Sequence, residues 1–262
     1  MKKILLLFCS IVLASIAFAD QNCFIVSKNG VALKQEGDCK TRFAPCSTFK
    51  IVLSLIGYDS GILIDEMHPV LPFKKGYPEW LEVWKQDQTP TSWIKNSCVW
   101  YSQVLTQKLG MEKFQSYITK LQYGNMDLSG DKGKNNGLTN AWLSSSLEIS
   151  PEEQLAFLQN LLNNNLPFTQ YAHDLTKKIL FLEELPGGWK LYGKTGNGSL
   201  LSADRTKKLE IQHGWFIGWL EKGDNKIIFI SHIADNAKEE RYASLRAKEQ
   251  TKEKLLQLIA QQ

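Results

Sequence analysis

Six of the eight residues from Phe49 to Ile56 are apolar, and they fall on every side of a turn of 3.6 residues. The run predicts a helix that begins near Ser47, ends around Gly57 and is buried all round. Such a helix has no solvent face. It must be wrapped by other layers, so the chain must build a core large enough to enclose it. The material is present: 43% of the 262 residues are hydrophobic, with 12 Phe, 8 Tyr and 8 Trp. That composition is too apolar for disorder, and the length fits one large domain or two small ones sharing a core. Lys50 stands inside the same run, between Phe49 and Ile51.

The first residues have another character. Lys2 and Lys3 precede an apolar run from Ile4 to Phe18, and Ala17-Phe18-Ala19 supplies a small-residue cleavage pattern. This reads as a secretory signal peptide cut after Ala19, not as a retained membrane anchor, for which the run is short. Residues 20–262 then form the mature single domain, exported across the inner membrane to the periplasm. Removing residues 1–19 lowers the formal charge from +4 to +2, leaving 29 basic and 27 acidic side chains. That balance gives no reason to expect nucleic acid or a membrane surface as partner. Four cysteines remain, Cys23, Cys39, Cys46 and Cys98, with no C-x-x-C spacing. His68, His173, His213 and His232 lack the i, i+4 spacing of a helical metal pair. No metal is expected, and each histidine reads as structural.

Apolar runs flank Lys28-Asn29-Gly30, a hairpin signal. Cys23 and Cys39 lie near the two ends of that hairpin and can pair across it. Residues 58–95 read as irregular chain with short helices. Val99 to Leu109 and Glu112 to Leu121 read as helices parted by Gly110, and 123–140 as a polar surface loop. Ser150-Pro151-Glu152-Glu153 is a complete helix start. Trp189 to Tyr192, Gly214 to Leu220 and Ile227 to Ile233 read as strands, and 238–261 as a closing helix. The order predicts an α/β (α+β) fold: a terminal hairpin and three late strands joined in one antiparallel sheet, five to seven strands in all. Helices flank the sheet and build a second, all-helical lobe.

Ser-x-x-Lys on a helix sets a hydroxyl and an amine on one face, one turn apart. A serine needs such a base to become nucleophilic, and a helix N-terminus favours developing negative charge. The pattern occurs twice, at Ser47/Lys50 and Ser92/Lys95. Lys95 lies in a polar stretch and would stay solvated. Lys50 lies in the apolar run, where burial drives an ammonium toward the neutral amine. A buried lysine is expensive unless it has work to do. Downstream, Lys194-Thr195-Gly196 offers a cation, a hydroxyl and a small residue, placed here on an edge strand, where a carboxylate-bearing substrate can lie against the backbone. Gly188 to Thr195 also satisfies the phosphate-loop formula, but its loop positions are bulky and the following Thr-Gly-Asn-Gly-Ser cannot open a packed helix.

Taken in order, Ser47-Thr48-Phe49-Lys50, Ser97-Cys98-Val99, Tyr123-Gly124-Asn125, Trp142-Leu143 and Lys194-Thr195-Gly196 resemble the motif series of the class D serine β-lactamases. The likeness runs from about Cys23 to the last helix, and the Tyr-Gly-Asn element separates class D from class A. It implies the penicillin-recognising serine enzyme fold and β-lactam hydrolysis through an acyl-enzyme on Ser47. It implies that Lys50 carries a carbamate made with carbon dioxide and serves as general base, with Phe49, Val99 and Leu143 keeping the amine neutral and the Trp142 indole N–H holding the carbamate. Ser97 resembles the residue that passes a proton to the departing nitrogen, with Lys194 beside it. Thr195 would bind the substrate carboxylate. Gly196, Val99 and Tyr123 join it among the substrate contacts, and the N–H groups of Ser47 and Asn197 form the oxyanion hole. Arg246 best fits the arginine used for the carboxylate, with Arg241 as the alternative. Carbon dioxide is the only cofactor implied, and pairing with a second copy as a homodimer is left open.

Three departures stand out. Asn197 occupies a position that is often aromatic in the family. Cys46 and Cys98 flank the two site serines and read as buried free thiols, with a disulfide between them as the alternative. Leu200 to Gln212 looks long and charged for a strand connection. The rivals are a non-hydrolysing β-lactam sensor, a DD-peptidase sharing two of the motifs, and a nucleotide-binding protein through the phosphate-loop formula.

Overall fold

The computed structural model describes residues 21–260; the signal-peptide reading lies outside them. Strands β1 (Cys23–Lys28) and β2 (Val31–Gly37) form the expected hairpin. Asn29 and Gly30 both take positive φ, 52° and 82°, the tight turn that Asn-Gly favours. Cys23 and Cys39 are joined in a disulfide, and Cys46 and Cys98 are buried free thiols.

Four further strands complete one antiparallel sheet: β3 (Phe181–Leu185), β4 (Trp189–Leu201), β5 (Lys208–Lys222) and β6 (Asn225–Ala234). The six run in the order β2-β1-β6-β5-β4-β3. The two ends of the chain thus meet through β1 and β6, as the strand order predicts. Alternation along the strands gives the sheet two apolar faces. Ile25, Trp215, Ile217, Ile228 and Ile230 join the core of the helical block. Phe24, Val26, Phe216, Phe229 and Ile227 face a second cluster with Ala243, Ala247 and Leu255 of the closing helix, α8. That helix spans Ala243–Ile259 and packs so tightly on β5 that a Cβ at Gly214 would lie 2.1 Å from the Ser244 nitrogen.

The helical block lies between β2 and β3. The apolar run becomes a 3-10 turn, Cys46–Phe49, continued by α1 (Lys50–Asp59), in which every residue from Lys50 to Tyr58 is buried. Then come α2 (Pro90–Lys95), α3 (Val99–Leu109), α4 (Met111–Leu121), α5 (Gly137–Asn140), α6 (Pro151–Leu162) and α7 (Gln170–Ile179). Ser150 opens α6 with the full reciprocal capping box read from its sequence.

Several expectations need correction. β3 carries exposed Phe181 and Leu182 and no clean alternation, so it went unread as a strand. β4 and β5 extend well past their apolar segments, and Leu200 to Gln212 is mostly strand with a short connection at 202–207. β4 is not an edge strand as a whole. β3 covers only Trp189 to Tyr192, however, so the half carrying Lys194-Thr195-Gly196 has no strand on that side. Residues 123–140 include α5 and the buried Tyr123 and Leu128, so the segment is more than a surface loop.

Candidate active site

Ser47 sits on the 3-10 turn, where side chains three residues apart eclipse one another. That geometry brings the Lys50 amine to 3.0 Å from Ser47 Oγ, to which it donates. Ser47 is partly exposed while Lys50 is fully buried. Burial lowers the Lys50 pKa to about 8; the thiols of Cys98 and Cys46 lie close enough to oppose this weakly. Both thiols are pushed up to about 11 by their own burial and stay protonated. The other Ser-x-x-Lys is a helix start: the Ser92 hydroxyl completes a capping box with Thr89, and Lys95 is exposed.

Lys194, on β4, donates to Ser97 Oγ at 3.0 Å and to its neighbour's carbonyl at Thr195. It is buried, and its pKa falls well below the ordinary lysine value, first through desolvation and then through the charges of Lys50 and Lys248. Ser97 lies between α2 and α3 with φ of 54°, a left-handed conformation rare for serine. β4 lies directly against the nucleophile turn: a Cβ at Gly196 would stand 2.7 Å from the Pro45 carbonyl oxygen and 3.1 Å from the Ser47 nitrogen. Ser47, Lys50, Ser97, Lys194 and Gly196 therefore converge, with Thr195 and Asn197 on the same strand. Asn197 is held by its side chain, which donates to Gln212 and accepts from the Ser244 N–H.

Trp142 is fully buried, its ring stacked on Phe49 at 5.5 Å, and its indole Nε1 has no hydrogen-bond partner among the described residues. Buried N–H groups without partners are rare.

Three of the predicted substrate contacts are buried or engaged by other side chains. The Tyr123 ring is buried behind Phe49 and its hydroxyl donates to Gln154, so it supports the nucleophile turn from behind. The Tyr-Gly-Asn element acts as a clamp. Asn125 holds the Ser146–Glu148 backbone from both ends of its amide, and Gly124, at φ 56°, has the Glu148 carbonyl where a Cβ would be. Val99 is buried at the start of α3, a wall and not an open contact. Arg246 is bound by Asp235 at 2.6 Å and bonds to the Arg241 carbonyl, while Arg241 pairs with Glu249. Among the described residues neither arginine is hydrogen-bonded or ion-paired to the Ser47 group. Sequence pattern could not show the Asp235 partner, eleven residues away.

Gly188 to Thr195 closes a 3-10 turn and runs along β4, with no helix after it, so the phosphate-loop reading fails. Among the described residues no group of three or more His, Cys, Asp or Glu could hold a metal ion, and no helix is long and apolar enough to cross a membrane.

Residues 19–257 match the family model described as the penicillin binding protein transpeptidase domain, the class of serine enzyme that this sheet and site define. The chain is 41% identical over 233 residues to β-lactamase OXA-1 of Escherichia coli, covering 87% of this chain and 81% of that protein. It is 38% identical over 241 residues to β-lactamase OXA-9 of Klebsiella pneumoniae, covering 87% and 88%. The crystal structure of the OXA-427 class D β-lactamase superposes with a TM-score of 0.86 at 44% identity, over 92% of this chain and 99% of that one. The chain belongs to the class D β-lactamases within that transpeptidase family.

Proposed function

We propose that the protein hydrolyses β-lactam antibiotics through an acyl-enzyme on Ser47. The observation that carries this is the Ser47–Lys50 pair: a partly exposed hydroxyl 3.0 Å from a fully buried amine. The Ser47 oxygen attacks the lactam carbonyl carbon while its proton leaves toward the Lys50 head group. Charge developing on the carbonyl oxygen is received by the N–H groups of Ser47 and Asn197. The lactam C–N bond breaks, and Ser97, bonded to Lys194, supplies the proton that the nitrogen needs. Thr195 and Lys194 give the substrate carboxylate a hydroxyl and N–H donors. Water then enters, is deprotonated on the Lys50 side and cleaves the ester, and that proton passes to the departing Ser47 oxygen.

N-carboxylation of Lys50 fits the residues present. Only a neutral amine takes up carbon dioxide, and burial lowers Lys50 to about 8. A buried anion needs a donor, and Trp142 offers an unpartnered indole N–H on a ring stacked against the residue before Lys50. When present, the carbamate supplies a base for both half-reactions. Export to the periplasm with cleavage after Ala19, leaving 20–262 as one catalytic domain, accords with the Cys23–Cys39 disulfide, which suits an oxidising compartment.

The test combines two treatments. Ser47→Ala should abolish covalent adduct and turnover. Mild acid in degassed buffer should lower wild-type activity, and added bicarbonate should restore it. Indifference to bicarbonate would remove the carbamate and leave the acyl-enzyme.

A further inference from the structure

Behind the nucleophile turn lies a buried polar cluster that the mechanism does not use. Cys46 precedes Ser47 and Gly198 follows Asn197, so the cluster sits on the two segments whose N–H groups face the reacting carbonyl. Three side chains close on the bare α-carbon of Gly198. A Cβ there would stand 2.4 Å from Ser144 Oγ, 2.5 Å from Cys46 Sγ and 2.9 Å from His213 Nε2. His213 Nε2 is 3.8 Å from Cys46 Sγ, and its Nδ1 is 3.2 Å from His232 Nε2. His213 also stands opposite Gly198 in the β4–β5 register. The Ser144 hydroxyl accepts from the Ser199 N–H, and the Cys46 N–H donates to the Trp142 carbonyl.

Phe43 packs on both imidazoles, at 5.6 and 4.1 Å, and Trp215 packs on His232. Both rings are 1% exposed, and burial keeps both neutral. Cys46 and Ser144 take positive φ, 50° and 52°. Non-glycine residues persist in that conformation only where their surroundings enforce it. Two imidazoles in an apolar core are costly filler, whereas directed contacts give them a use.

We propose that His213 is a positioning residue: by holding Cys46 against Gly198 it sets the gap between the Ser47 and Asn197 N–H groups. This rests on the reading of those groups as the oxyanion hole.

The test compares His213→Asn with His213→Gln. The asparagine keeps an amide toward His232 but withdraws from Cys46; the glutamine reaches Cys46 again. Three quantities are read: the single-turnover acylation rate with a penicillin, the dissociation constant of that penicillin, and that of a phenylboronic acid. The boronate's tetrahedral anion places an oxygen where the oxyanion forms. In His213→Asn, acylation and boronate affinity should fall together by roughly 10–50-fold, a fraction of what losing a whole donor removes. Penicillin affinity should stay within about twofold, and His213→Gln should recover most of the loss. Cys46→Ala should act in the same direction, and adding it to His213→Asn should change little, because the two act through one contact.

Unchanged boronate affinity in His213→Asn, or a loss no larger than that for penicillin, would reduce His213 to packing. If His213→Asn does not fold, Cys46→Ala carries the test, and boronate affinity unchanged there overturns the proposal. A wild-type protein that is never acylated at Ser47 would overturn the underlying mechanism, and that arm is separate from the variants.

Discussion

Replacing Lys50 by methionine should stabilise the carbamate-free protein while destroying its activity. The side chain is fully buried, with Ser47 Oγ its hydrogen-bond acceptor. Burial moves its pKa from 10.5 to about 8. At ~1.4 kcal/mol per tenfold change, that is about 3 kcal/mol of native-state destabilisation at pH 7. The sign follows from proton binding. Between pH 8 and 10.5 the unfolded chain holds this proton more tightly than the folded one, so wild-type stability rises with pH across that window. Below pH 8 the penalty is fully present. The advantage of Lys50→Met should therefore be about 3 kcal/mol at pH 7, about 2 at pH 9 and under about 1 at pH 10.5. At pH 7 it appears as roughly 6–12 °C in Tm for a chain of this size. The assay is denaturant unfolding of both proteins in degassed, bicarbonate-free buffer at several pH values. An advantage that does not shrink as pH rises would refute the reasoning, because the gain would then be packing and not relief of a buried charge.

Trp142→Phe keeps an aromatic ring against Phe49 and removes the indole N–H along with part of the ring system. It should raise the bicarbonate concentration needed for half-maximal activity by about tenfold or more, and an unchanged titration would count against the indole's role. Gly196→Ala places a Cβ 2.7 Å from the Pro45 carbonyl and should slow acylation by about 100-fold through displacement of β4; stopped-flow rates decide it. Reducing the Cys23–Cys39 bridge should lower stability by about 3 kcal/mol, as expected for a loop of this length. Acylation of Ser47 at 25 °C should survive, and its loss on reduction would place the hairpin in the site.

Much of this was legible in the chain because local rules and tertiary demands agree. The wrapped helix, the Asn-Gly hairpin, the Ser150 capping box and the lysine stranded among Phe49, Ile51 and Val52 each follow from residues close in sequence. What stayed hidden depends on distant partners. Lys194-Thr195-Gly196 reads as edge strand, but the polar, glycine-rich stretch that runs on from it gives no strand pattern of its own. It is strand because β5 pairs with it throughout, and its glycines answer the approach of Pro45 and Cys46. Arg246 reads as a carboxylate anchor, but its partner Asp235, just past β6, is set by the fold. Tyr123 looked like a substrate contact because its motif is diagnostic, yet its ring serves Phe49 and Gln154. His213 and His232, nineteen residues apart, meet only because β5 and β6 pair in register.

The most direct measurement of the central claim is intact mass followed alongside penicillin hydrolysis with one sample of purified protein. Many penicillin molecules should be consumed per protein, with a transient adduct of substrate mass that maps to Ser47 and disappears once substrate is exhausted. A permanent adduct after a single turnover, or steady hydrolysis with no adduct on Ser47 even when quenched early, would contradict it.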